Sequence, residues 1–282
     1  MPKKKVIISL LSAIGLSLLG WFIYVHLNYV STDNATVQAH SLMLSPKVSG
    51  VVTKVLVDEN QTVKKGDILA EIDERDFLIA SSQAQAELES ARARALDAEL
   101  TYKRFSKLIK ESAVSRQQFD DAEIKARELN HKVQAGQAQL DQAKLNLEYT
   151  KVKAPSDGSI AKKSVEVGSL VSAGQPLFGF VSSEERWVTA NFKETELADI
   201  HIGQRVKISV DAIPNRSFNG EVESISSSTG STFSLLPPDN STGNFTKVVQ
   251  RIPVKIKLQN LSGDEIKLLQ AGLSADVSVS IR

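Results

Sequence analysis

The chain has 282 residues and no cysteine. That absence excludes disulfides, thiol nucleophiles, zinc–thiolate sites and lipoprotein acylation together. The four histidines, His26, His40, His131 and His201, are scattered, and none has a nucleophile at motif spacing. Phosphate-binding Gly-x4-Gly-Lys, His-Glu-x2-His and Gly-x-Ser-x-Gly are all missing. No catalytic residue, no metal and no cofactor is therefore expected, and the chain reads as a non-enzyme. Aromatic residues make up only 6%, so any core must be built from Val, Ile, Leu and Ala. An excess of one charge is lacking too: 34 Lys+Arg face 33 Asp+Glu. That balance argues against nucleic acid as a partner. With 41% apolar and 24% charged residues, the chain is neither disordered by composition nor a polytopic membrane protein.

Charge is absent altogether from residues 6–27, 22 residues that follow Lys3, Lys4 and Lys5. As a helix this run would span roughly 33 Å, enough for a bilayer core. Trp21, Tyr24 and Tyr29 gather at its far end, where amphipathic rings favour the interface. No Lys or Arg occurs over residues 6–46, so the positive-inside rule puts Met1 in the cytoplasm and everything after about residue 28 across the membrane. Residues 1–28 are thus expected to form a cytoplasmic tip and a single transmembrane anchor. A cleaved signal peptide would need a shorter run and a small-x-small site close behind it.

Two stretches repeat. Residues 46–73 and 155–181 align with Gly50 on Gly158, Val63 on Val171, Gly66 on Gly174 and Leu69 on Leu177, each offset by 108. Both alternate apolar and polar residues, as half-buried strands do. Gly50, Gly66, Gly158 and Gly174 are expected at turns that need positive φ. One half-motif cannot bury its apolar face alone, so the two should combine into one small β-sandwich. Domain bounds of 46–73 and 154–182 follow for the halves.

The insert, residues 74–153, has no proline and a single glycine, Gly136. Phe77, Ser81, Ala84, Leu88, Ala91, Ala95, Ala98, Tyr102, Phe105 and Ile109 alternate spacings of four and three. Phe119, Ala122, Ala126, Leu129, Val133, Gly136, Leu140, Ala143, Leu147 and Thr150 do the same. This predicts two heptad-patterned helices packed antiparallel, each roughly 54 Å long. The break falls at residues 111–115, with Ser115 as N-cap and Gln118 completing a capping box. Beyond it, alternating strands over residues 183–282 predict a β-barrel, joined by a strand from residues 29–45. A long polar loop, residues 226–246, carries Phe233, Leu235, Leu236, Pro237 and Pro238.

The half-motif resembles the biotinyl/lipoyl carrier fold, but the modifiable lysine is not at the joining position. Lys64 and Lys65 lie beside the Gly66 turn instead. The order of anchor, half-motif, hairpin, half-motif and barrel resembles the HlyD-like periplasmic adaptors, or membrane fusion proteins. The Arg-x3-Leu-x6-Ser pattern of adaptors that dock TolC-like channels fits Arg104, Leu108 and Ser115. The loop kernel, with Val248 to Val254 after it, is similar to the EmrA-type multidrug efflux branch, although EmrA-like chains have a longer hairpin.

This resemblance implies a mainly β fold with a long α-helical hairpin. It implies an adaptor linking an inner-membrane exporter of the major facilitator type to a TolC-like outer-membrane channel. It further implies a homo-oligomeric ring (trimer or hexamer) and a single-pass place in a Gram-negative inner membrane, with the bulk periplasmic. Alternatives are an adaptor of an ATP-driven type I protein secretion system or of an aromatic-acid exporter, and an anchored scaffold without a pump.

Overall fold

The computed structural model describes residues 28–229 and 249–281. The expected anchor and the loop residues Phe233, Leu235, Leu236, Pro237 and Pro238 lie outside the described residues. Among the described residues no helix is long and apolar enough to cross a membrane. The elements run β1 (Tyr29–Gln38), β2 (Ser41–Leu44), β3 (Gly50–Val55), β4 (Thr62–Val63), β5 (Ile68–Ile72), α1 (Arg75–Leu108), α2 (Arg116–Glu148), β6 (Lys151–Lys153), β7 (Gly158–Lys163), β8 (Leu170–Val171), β9 (Phe178–Ser182), β10 (Trp187–Lys193), β11 (Arg205–Val210), β12 (Ser217–Ile225), β13 (Arg251–Leu258), α3 (Gly263–Leu268) and β14 (Ser274–Ser280). They divide into two compact units, one of residues 42–180 and one of the chain on either side of it.

The outer unit is a closed six-stranded barrel in the order β1-β10-β13-β12-β11-β14. Every neighbouring pair is antiparallel, and β1 closes the ring between β10 and β14. Alternation along each strand sends Val188, Ala190 and Phe192 of β10, and Ala275, Val277 and Val279 of β14, into the core, all buried. Closure leaves the barrel no free edge for another chain to pair with.

The 42–180 unit holds the sandwich, two four-stranded sheets in the orders β2-β9-β7-β4 and β6-β5-β3-β8. The halves exchange partners. Gly50 of the first half pairs with Val171 of the second, and Gly158 of the second pairs with Val63 of the first. Leu69, Ile72, Ile160, Leu177, Phe178 and Phe180 fill the space between the sheets. Neither half could bury these side chains without the other.

Two strand boundaries differ from expectation. The segment 29–45, expected as a single barrel strand, divides: β1 stays in the barrel while β2 joins β9 in the sandwich. The hairpin was expected to run to residue 153, but residues 151–153 pair with β5 as β6. A three-residue edge strand leaves too little period-two pattern to separate from a helix end.

Between β5 and β6, α1 and α2 form the hairpin, 34 and 33 residues long. All twenty expected seam positions are buried or half-buried. Small residues take half of the seam positions, and a Cβ on Gly136 would stand 3.4 Å from Leu88 Cδ1. Ala84, Leu88 and Leu140 form a buried cluster in the seam, with Val133 and Ala143 packed against them.

Candidate docking site at the hairpin tip

The tip is closed by two different caps. After α1, a single 3-10 turn (Ile109–Glu111) leads to Ser112 at φ +56°, in the left-handed region. The Ser112 N–H donates to the Ile109 carbonyl at 3.2 Å and the Ala113 N–H to the Leu108 carbonyl at 3.0 Å. This double closure is a Schellman motif, normally built on glycine. Three residues on, Ser115 is the N-cap of α2. Its hydroxyl accepts from the Gln118 N–H at 3.3 Å, while the Ser115 N–H donates to Gln118 Oε1 at 3.0 Å. Both halves of the expected capping box are present.

Arg104 and Leu108 lie four residues apart at the end of α1, hence on one face. Arg104 is exposed and makes no ion pair among the described residues, while Leu108 is half-buried. Ser115 lies across the turn, and its hydroxyl is committed to the cap. Behind the tip, Tyr102 and Phe119 bridge the arms with ring centroids 5.6 Å apart. The Arg116 guanidinium sits 5.6 Å from the Phe119 ring centre and 3.3 Å from Asp120. The tip is thus a doubly capped end that offers a guanidinium without an ion pair among the described residues, beside an apolar side chain.

Lys107 and Lys110, both exposed, extend this surface and were not singled out from the sequence. The signal was there in the count of cations at the break. Ser112 was missed because no local pattern marks a serine in a glycine conformation.

At the other end of the hairpin, ion pairs tie the helix ends to the sandwich strands. Lys153 reaches Glu148 at 2.9 Å and Lys151 reaches Glu74 at 3.6 Å. The Arg75 side chain chelates Asp73, with Nε 3.0 Å from each carboxylate oxygen. These bonds, with one from the Arg75 backbone N–H, hold the Asp73 carboxyl down at about 2.

The repeat glycines serve two purposes, not one. Gly66 and Gly174 lie at φ +87° and +83°, as a turn requires. Their N–H groups make equivalent bonds, to the Ala154 and Pro46 carbonyls, each 2.9 Å long. Gly50 and Gly158 are not turn residues; each is the first residue of a strand and neither has positive φ. At Gly50 the reason is space, since a Cβ there would fall 2.6 Å from Ile72 Cγ2. Among the described residues no cluster of His, Asp and Glu could hold a metal ion.

A barrel, a sandwich of two half-motifs and a hairpin inserted between them define a class of membrane-associated adaptor, and comparison with known proteins agrees. The family model described as "RND MFP, barrel-sandwich hybrid domain" matches residues 41–183, and "AAEA-like beta-barrel domain" matches residues 186–280. The chain belongs to the membrane fusion protein family, a non-enzymatic family of periplasmic adaptors, within its EmrA-type branch.

It is 33% identical to the colistin resistance protein EmrA of Acinetobacter baumannii over 318 aligned positions, 93% of this chain and 90% of that protein. It is 34% identical to the multidrug export protein EmrA of Haemophilus influenzae, covering 98% and 83%. Among solved structures, MacA from Actinobacillus actinomycetemcomitans superposes with a TM-score of 0.68 at 19% identity, over 90% of this chain and 79% of that one. The periplasmic adaptor protein EmrA superposes at 0.50 with 20% identity, over 90% and 98%. At these identities the superpositions show the fold. The 318 aligned positions exceed the 282 residues here, so the first relative carries insertions that this chain lacks.

Proposed function

We propose that this chain is the adaptor subunit of a tripartite drug efflux pump. Residues 6–27 anchor it in the inner membrane, and the barrel meets an inner-membrane exporter of the major facilitator type. Several copies form a ring. The hairpin tip, through Arg104 and Leu108, engages a TolC-like outer-membrane channel. The observation that carries this reading is a capped hairpin whose tip presents Arg104, without an ion pair among the described residues, beside Leu108.

Small-molecule cargo is supported by the names of the relatives, which speak of colistin resistance, multidrug export and fatty acid resistance. Weak contacts at each tip suffice, because tethered copies raise one another's effective concentration.

The absence of cysteine makes the test clean. Single cysteines replace Arg104 or Leu108 at the tip, and Ser90 or Ala138, both exposed, at mid-arm. Crosslinking in intact cells should capture an outer-membrane channel from the tip positions alone. Equal capture from tip and mid-arm, or none while the channel is expressed, would refute the docking assignment.

A further inference from the structure

Residues 103–116 contain five cations, Lys103, Arg104, Lys107, Lys110 and Arg116, against one carboxylate, Glu111. In the rest of the chain carboxylates outnumber cations. Lys103 is paired with Glu99 and Arg116 with Asp120, each at 3.3 Å. Arg104, Lys107 and Lys110 are exposed and have no ion pair among the described residues. We propose that this basic crown docks onto an acidic surface of the partner protein, with Lys107 and Lys110 steering the encounter and Leu108 supplying the apolar contact. The inference rests on the tip being the docking end.

Two observations point to a partner. Lys103 and Lys107 are four residues apart, Arg104 and Lys107 three, and Lys107 and Lys110 three. Like charges at these spacings destabilise a free helix. The negative C-terminal end of the helix offsets this at Lys107 and Lys110, but the effect fades before Arg104, a turn further back. The free hairpin therefore tolerates repulsion that an acidic partner would relieve. The second observation selects protein over lipid. Leu100 and Ile124 are exposed further down the arms, but between them, over the basic crown itself, no large hydrophobic side chain is among the exposed ones. A membrane-surface helix needs such side chains to enter the acyl boundary.

The test uses the full chain in nanodiscs and, as probe, the purified channel captured by the tip cysteines. Association rates are followed from low to high salt. For the wild type the rate should fall steeply as salt rises. Lys107→Gln with Lys110→Gln should lower the low-salt rate about tenfold and flatten the salt dependence. Lys132→Gln with Lys144→Gln, exposed on α2 away from the tip, should change neither. Thermal unfolding of the tip double variant should be no lower than wild type, which excludes misfolding.

An unchanged rate in that variant, alongside loss of binding in Leu108→Ala, would overturn the charge proposal and leave docking standing. Absence of wild-type binding would overturn both. If the double variant lost binding to vesicles of anionic phospholipid while keeping the channel, the crown would be a lipid site and the proposal would fall.

Discussion

Gly50 and Asp73 show how single positions hold the sandwich and the hairpin base. A methyl at residue 50 would stand 2.6 Å from Ile72 Cγ2, against a side chain that is 1% exposed. Gly50→Ala is expected to destabilise the sandwich by about 1–3 kcal/mol through overpacking, read as a lower unfolding temperature. Asp73 tests pH instead. Its carboxyl is held at about 2 by the Arg75 side chain, below the ordinary 3.8. A depressed carboxylate stabilises fully above its unfolded value and loses that effect as pH falls through its folded value. The difference in unfolding temperature between wild type and Asp73→Asn should therefore be constant from neutral pH to about 5. It should shrink as pH falls from about 4 towards 2. A difference that vanished between pH 7 and 6 would contradict the assignment.

At the scale of elements, the hairpin depends on its two caps. Ser115→Ala removes one half of the capping box and should cost about 1 kcal/mol. Ser115→Asp keeps an acceptor and should cost much less. If Ser115 acts only as a cap, channel capture through Leu108→Cys should survive Ser115→Asp; loss of capture with stability intact would give the hydroxyl a contact of its own. Ser112 carries the opposite opportunity. A serine at φ +56° sits where glycine is freer. Ser112→Gly should stabilise the tip by about 1 kcal/mol, measured by the helical circular dichroism signal on heating.

For the molecule as a whole, the decisive feature is that the barrel unit is discontinuous in sequence and the sandwich is split by the hairpin. The barrel closes only because β1, from near the start of the chain, sits between β10 and β14. A chain lacking residues 1–38 should expose the edges of β10 and β14 and aggregate through them. Light scattering should report this, with the helical signal of the hairpin retained. The sandwich is likewise completed across the whole hairpin, by Gly50 on Val171 and Gly158 on Val63. The hairpin enters and leaves the sandwich through β5 and β6, beside the Lys153–Glu148 and Lys151–Glu74 pairs.

The sequence by itself determined the hairpin and its seam, because helical periodicity and capping are local and repeat over many turns. It also determined that two half-motifs exist, through the 108-residue offset, and where Ser115 and Gln118 would cap. Tertiary structure decided what no window of residues contains. It assigned β2 to the sandwich rather than the barrel, since a four-residue strand takes its sheet from its partner. It separated Gly66 and Gly174, which need positive φ, from Gly50, which needs room beside Ile72. Among the described residues it left Arg104, Lys107 and Lys110 without an ion pair while giving Lys103 and Arg116 their carboxylates. A charge count cannot distinguish those two groups, because pairing depends on which side chains the folded helices bring within reach.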